Sequence, residues 1–316
     1  MSEPLKFLSE SEALARLDRS RVRQVLRTAF AGLANGASVQ PAQTTAVFPG
    51  EAGNCKFYPG LISDLDVVGV KVSPFISALK RAGKTPVTAY TLLMSASTGL
   101  PLLMCDARAL TTCRTAATTA LALEYLTPAS ARTLTVIGSG KLAVEHLRYV
   151  AEQHPWRSKR VWSPSLCANP VKGRDFVDGL RAEGINVELA ESAESAVSDA
   201  DVVMLCTSSG TPVIQTGWLH DNAVITSIST NGARAHEIEP SSLPNFHVFC
   251  DYRATAPVTA GEMVLAIESG TWASTSIKGD LPELVAHAVA RPASGRIFFR
   301  STGLGIEDLA IASLCL

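Results

Sequence analysis

The sequence predicts an α/β fold in two parts, a doubly wound parallel sheet preceded by a smaller domain built on its own sheet. Three observations predict it. Thr133 to Leu147 (TLTVIGSGKLAVEHL) reads as a buried strand, a glycine turn and a helix, in that order. Further β-rich runs follow it, separated by helix-like segments at the pitch of βαβ units. Ahead of it, from Val39 to Met104, the hydrophobic period is that of strands joined by turns.

In chain order, Ser9 or Ser11 can cap a helix carrying Ala13, Leu14 and Leu17. Arg21 to Leu33 places Val22, Val25, Leu26, Phe30 and Leu33 on one helical face, and Asn35-Gly36 ends it. Val67–Val72, Val87–Met94 and Pro101–Met104 read as strands of an antiparallel sheet, with turn chemistry at Arg81–Lys84 and Ser97–Gly99. A helix from about Thr111 to Leu126 leads through Thr127–Ser130 into the strand Leu134–Ile137. Later strands are a run ending at Val161-Trp162, then Asp201–Cys206, Ala223–Ile228 and His247–Asp251. A helix over Pro282–Ala290 and the tail Ser301–Ala310 close the chain, the tail returning to the first domain.

The glycine turn has the spacing of a dinucleotide fingerprint. Gly138 allows the tight turn, Gly140 lets a pyrophosphate approach the backbone, and Ala143 lets helix and strand pack closely. Ser139, Lys141 and Leu142 fill the same turn, whose free N–H groups and dipole suit phosphate. Enzymes that use NAD place an acid after the second strand to hold the ribose 2′-OH. Here Ser163-Pro164-Ser165 stands there, with no acid before Asp175. Ser163 and Ser165 suit a 2′-phosphate, with Lys172 and Arg174 in reach if the loop folds back, so NADP(H) is favoured and NAD(H) is the alternative. Thr207 and Ser208 follow the third strand, where such sheets contact the cofactor.

Composition narrows the rest. With 28 basic and 29 acidic side chains in 316 residues, nothing suggests a nucleic-acid partner. No apolar run approaches the ~20 residues that cross a bilayer. The charged N-terminus lacks a signal-peptide core, and seven scattered cysteines without metal spacing read as reduced thiols of a cytoplasmic protein. The six histidines do not pair with Cys or Asp at ligand spacing, so no metal site is expected.

Two basic residues stand out. Arg114 is placed at the start of a helix of small residues, where a guanidinium and free N–H groups would make a carboxylate site. The competing reading pairs it with a nearby acid such as Asp106. Lys71 alternates with Gly69 and Ser73, opposite Val68, Val70 and Val72. It either faces water or lies partly buried with a lowered pKa, fit to donate a proton.

Six segments in register, Cys113-Arg114-Thr115-Ala116-Ala117, GSGKLA, Ser229-Thr230-Asn231-Gly232, Cys250-Asp251-Tyr252-Arg253, Ala260-Gly261-Glu262 and Gly303-x4-Asp308-Leu309-Ala310, resemble the ornithine cyclodeaminase/μ-crystallin family. The resemblance runs from Val39 to Ala310. It implies a Rossmann domain over 119–294, and a substrate and dimerisation domain over 1–118 on which 295–316 packs back, the whole forming a homodimer. It also implies that Arg114 holds the substrate α-carboxylate, that Lys71 is the catalytic acid, and that Ser229 contacts the cofactor. Three positions depart from the family's pattern. Gln43 stands where relatives carry a carboxylate-binding arginine. A methionine often precedes the family's proline, whereas here Lys56-Phe57-Tyr58-Pro59 stands. Lys56 and Tyr58 are therefore expected to reshape the pocket floor, and an extra cation there suits a substrate with a second carboxylate unless Lys56 faces solvent. Asn231 stands where cyclodeaminases have an aspartate, and an amide can orient the substrate or the nicotinamide carboxamide but cannot take a proton. The resulting expectation is an NAD(P)H-dependent reductase of a small α-imino acid, by hydride transfer to C=N. The alternatives are an ornithine or lysine cyclodeaminase using NAD catalytically, or a non-catalytic μ-crystallin-like binding protein.

Overall fold

The computed structural model describes residues 5–229, 232 and 234–316. The chain divides into two units, Met1–Ala117 with Gly303–Leu316, and Thr118–Thr302.

The first unit is built on a seven-stranded sheet. Its strands are β1 (Lys6–Leu8), β2 (Ser38–Val39), β3 (Thr44–Val47), β4 (Gly53–Ile62), β5 (Val67–Ile76), β6 (Tyr90–Ser95) and β7 (Pro101–Asp106). Their order is β1-β7-β6-β5-β4-β2, with β3 paired to β4. The pairings are antiparallel as expected, except that β1 runs parallel to β7. Helix α1 (Glu10–Leu14) starts at a full capping box, the Ser9 hydroxyl on the Glu12 N–H and the Glu12 carboxylate on the Ser9 N–H. Helix α2 (Arg19–Asn35) is capped by the Asp18 side chain and stopped by left-handed Gly36, and it buries Val22, Leu26 and Phe30 completely. A short α3 (Ser77–Arg81) follows β5.

Helix α4 (Arg108–Leu126) begins earlier than Thr111. Asp106 sets its start by accepting the Arg108 N–H at 3.1 Å and holding the Arg108 guanidinium through both carboxylate oxygens. Arg114 is therefore nearly two turns inside the helix, and the expectation that it borrows the free N–H groups of a helix start is wrong. The competing pairing with Asp106 fails too, because Arg108 has taken that acid.

The helix Gly305–Ser313 packs against β4, β5, β6 and α2 and is buried from Gly305 through Ala312. Its seat is a backbone contact. A Cβ on Gly305 would lie 1.9 Å from the Pro59 carbonyl oxygen, and one on Gly60 would lie 3.0 Å from the Ile306 nitrogen. Gln40 accepts the Ile306 N–H at 3.0 Å, so one orphan donor of the first turn is satisfied where water cannot reach. Gly60 pairs with Gly69 across the sheet, and Tyr58 pairs with Lys71. Pleat alternation puts all four on the face this helix covers. The face carrying Lys71 is thus the buried one, while Val68, Val70 and Val72 on the other face stay partly exposed.

The second unit holds an eight-stranded, wholly parallel sheet. It comprises β8 (Thr133–Ile137), β9 (Ser158–Trp162), β10 (Glu188–Leu189), β11 (Val202–Leu205), β12 (Val224–Ser227), β13 (His247–Cys250), β14 (Gly279–Asp280) and β15 (Ile297–Arg300). The order β10-β9-β8-β11-β12-β15-β13-β14 reverses direction between β8 and β11, the switch point where doubly wound sheets bind ligands. The expected doubly wound fold and its five expected strands are present. β10, β14 and β15 were not foreseen. β15 is fully buried between β12 and β13, so the returning tail starts at Gly303 rather than at 295. The last predicted helix is shorter than 282–290, spanning Leu281–Val285 behind an Asp280 capping box. Among the described residues no helix is long and apolar enough to cross a membrane.

Gly305→Ala should push the terminal helix off Pro59. We expect a loss of about 1–3 kcal/mol in urea unfolding, and an unchanged midpoint would show that the contact is soft.

Candidate functional site

At the carboxyl ends of β8, β9 and β11 the second unit opens a cleft of about 780 Å3. Gly138, Ser139, Gly140, Lys141, Leu142, Ser163, Ser165, Thr207 and Ser208 line it, together with Trp162 and Cys206. Gly138 has φ 130° and a Cβ there would meet the Cys206 carbonyl at 2.3 Å, so the turn requires glycine. A Cβ on Gly140 would meet nothing within 4 Å, which leaves open space before helix α5 (Lys141–Val150). Gly140 is its N-cap and supplies no side-chain cap, so the first-turn N–H groups remain available to an anion. Ala143 does not line the cleft. It is fully buried behind it, where a small residue lets α5 lie close to the sheet.

The hydroxyls of Ser139, Ser163 and Ser165 form a triangle with sides of 3.0, 3.1 and 3.2 Å. No acid lines the cleft among the described residues. Lys172 and Arg174 do not line it either, because both lie exposed on the helix Pro170–Ala182. Among the described residues Lys141 is the cation that lines the cleft. An uncapped helix start, open space at Gly140 and a ring of hydroxyls fit a nicotinamide dinucleotide.

Glu237 holds the far rim of this site and was not anticipated. It is fully buried. Its Oε1 accepts the Thr207 N–H and hydroxyl at 2.8 and 2.7 Å, and its Oε2 accepts the Ser227 hydroxyl and Ser229 N–H at 2.7 and 2.9 Å. One carboxylate therefore ties together the chain leaving β11 and the chain leaving β12. Ser229 itself does not line the cleft and adopts a left-handed φ of 46°. Asn231 lies outside the described residues. No local signal marks Glu237, because Ala235-His236-Glu237-Ile238-Glu239 reads as a polar loop and its donors come from other segments.

In the first unit, Lys71 and Arg114 are brought together by the terminal helix. Lys71 is only 2% exposed. Its Nζ lies 2.7 Å from Asp308 Oδ2, 3.4 Å from the Thr111 hydroxyl and 4.2 Å above the centre of the Tyr58 ring. Arg114 donates from Nε to Asp308 Oδ1 at 3.0 Å and from Nη1 to Glu307 Oε2 at 2.9 Å. Left-handed Gly303 makes room for the guanidinium, since a Cβ there would stand 2.5 Å from Nη1. Burial lowers the Lys71 pKa to about 8, Asp308 opposes that shift and Arg114 adds to it. Burial disfavours the Arg114 charge as well, yet Asp308 and Glu307 outweigh it and hold the guanidinium above its ordinary value.

Gln43 donates from Nε2 to the Gly303 carbonyl at 2.6 Å, which ties the segment before β3 to the entrance of the terminal helix. Lys56 falls on the same strand face as Tyr58, is half-buried, and has its pKa lowered by burial.

A sequence model of the ornithine cyclodeaminase/mu-crystallin family matches residues 5–315. The chain is 46% identical, over 97% of its length and 95% of the other, to a Pseudomonas aeruginosa protein named NAD(P)H-dependent anabolic L-arginine dehydrogenase DauB. It is 28% identical to the Delta(1)-pyrroline-2-carboxylate reductase of Paracoccus denitrificans, over 98% of this chain and 95% of that one. Among solved structures, it superposes with a TM-score of 0.89 on the Thermococcus litoralis Delta(1)-pyrroline-2-carboxylate reductase in complex with NADH and L-proline. That pair is 25% identical, over 98% of this chain and 96% of the other.

Glu237→Gln leaves one carbonyl oxygen to serve four donors. Each donor left unpaired should cost about 1–3 kcal/mol, and calorimetric affinity for dinucleotide should fall. Wild-type affinity and stability would remove Glu237 from the site.

Proposed function

The chain belongs to the ornithine cyclodeaminase/mu-crystallin family, and from that premise we propose that it is an NAD(P)H-dependent reductase of a small α-imino acid, forming the L-amino acid by hydride transfer to the C=N bond. The observation that carries this reading is Lys71. It is a buried ammonium whose pKa burial lowers to about 8, set beside a second buried cation, as proton donation to a carboxylate-bearing imine requires. The likeness to an NAD(P)H-dependent L-arginine dehydrogenase supports it and makes the imine of ammonia with the 2-oxo analogue of arginine the first substrate to test.

A reduced nicotinamide dinucleotide supplies the hydride, and the turn from Gly138 to Leu142 with Ser163, Ser165, Thr207 and Ser208 would hold it. Arg114 and Lys71 hold the substrate carboxylate, and their fixed charges cost no reorganisation when the reaction occurs. Lys71 gives its proton toward the imine nitrogen, so the carbon gains a hydride, the nitrogen gains a proton and the amine is complete. Lys71 is left as a neutral amine, which burial stabilises, and takes a proton back before the next turnover. The neutral seryl triangle and Lys141 favour a 2′-phosphate over a bare ribose, and hence NADPH over NADH. Exposed Phe7, Val39 and Val47 in the first unit offer apolar surface for a homodimer. Seven free cysteines, six of them buried, suit a cytoplasmic protein.

NADPH consumption should be measured with a panel of 2-oxo acids plus ammonia or methylamine, and with cyclic imino acids. Absence of turnover across the panel, or ornithine cyclisation without net NADPH oxidation, would refute the reading. Because the donor must be protonated, kcat/KM should be level below pH about 8 and fall above it. Arg114→Lys keeps a charge for Glu307 and Asp308 but loses the forked geometry. It should lower kcat/KM by about tenfold or more while NADPH affinity is retained. Arg114→Ala is the poorer test, since it takes the guanidinium away from two buried acids.

A further inference from the structure

On the reading that Lys71 supplies the proton, we propose that Asp308 is the positioning residue of the reaction, holding the Lys71 ammonium and the Arg114 guanidinium in one fixed arrangement. Its two oxygens are divided between the two cations, Oδ1 on Arg114 Nε and Oδ2 on Lys71 Nζ. Glu307 by contrast pairs with Arg114 at Nη1. Asp308 is therefore the acid in contact with Lys71, and its side chain is 1% exposed. Its own place is fixed by backbone. The helix that carries it meets β4 through Gly305 and Gly60 and is pinned by Gln40, so the carboxylate cannot withdraw without unseating the helix. It also stands in the first turn, where the helix dipole favours an anion.

The groups facing Lys71 come from every element packed on it. The terminal helix brings Asp308 and Glu307, α4 brings Arg114 and the uncharged Thr111, β4 brings Tyr58, and its β6 neighbour is Thr91. Burial and Arg114 both disfavour the ammonium, and Asp308 is first among the groups that oppose them. With Asp308 ionised, Lys71 stays charged at neutral pH and its head is aimed by a 2.7 Å contact. Without it, the ammonium loses both the charge that retains its proton and the contact that aims it.

Asp308→Asn keeps the shape and removes the charge. The alkaline limb of kcat/KM should move to lower pH by about 1–3 units, while NADPH affinity stays as in the wild type. Asp308→Glu, with the charge on a longer arm, should give an intermediate limb and turnover. A readout independent of turnover is the titration of the Lys71 ε-carbon in 13C-lysine-labelled protein, assigned by its loss in Lys71→Met. That resonance should titrate at lower pH in Asp308→Asn than in wild type. A lower titration point in a protein that reduces no imine would preserve the role of Asp308 and refute the proposed function. A loss of activity with limb and Lys71 titration unmoved would overturn the proposal and leave Asp308 as packing. Should Asp308→Asn not fold, Asp308→Glu decides alone: a displaced limb with intact NADPH affinity supports the role, and wild-type values of both overturn it.

Discussion

A charge removed from water must be met by an opposite charge or by hydrogen bonds, and the first unit is arranged around that constraint. Lys71 and Arg114 are buried on one face of a sheet, and neither strand β5 nor helix α4 supplies an acid to them. Both acids arrive on a helix from residues 303–316, which reaches them because two glycines, Gly60 and Gly305, let its backbone rest directly on the sheet. The ion cluster and the helix seat depend on each other. Without the seat the cations are unpaired, and without the cations two carboxylates are sealed beneath a helix.

The second unit solves a similar problem with hydrogen bonds. Loops at the carboxyl ends of parallel strands have no ladder to hold them, yet a cofactor site needs them fixed. Glu237 fixes two of them at once, accepting from four uncharged donors among the described residues. The glycine turn is fixed differently, by a close backbone approach of Gly138 to Cys206 that tolerates no side chain. One rim is therefore set by sterics and the other by an anion.

What could be read from the sequence was whatever short-range pattern determines. The strand–turn–helix at Thr133–Leu147, the parallel strands that follow and the alternation that groups Lys71 with Gly69 all depend on neighbours a few residues apart. Alternation could not say which face of β5 meets water, because the covering helix is far away in sequence. Gly69 was the available clue, since a missing side chain beside a lysine leaves room for close approach. The run of small residues after Arg114 suggests a helix start there, but Asp106 accepts the Arg108 N–H and begins the helix six residues earlier, at Arg108. β15 was missed because its neighbours β12 and β13 are not adjacent to it in the chain, and a short apolar run after Gly295 carries no sign of where it inserts. Glu237 and Asp308 act wholly through residues distant in sequence, so a polar loop and a C-terminal motif gave no hint of what they hold.

The discontinuity of the first unit bears on how the protein is made. A ribosome releases residues 1–117, then all of 118–302, and only afterwards the helix that completes the earlier piece. The parallel-sheet unit can fold as a continuous stretch while synthesis proceeds. The other unit must wait with an uncovered sheet face whose lysine and arginine stay hydrated, and it closes only after residues 303–316 have been made and dock. Completion of the first unit thus requires translation past residue 302, and a nascent chain stalled before Gly303 would hold an intact 118–302 segment and an unfinished first unit exposed to chaperones and proteases.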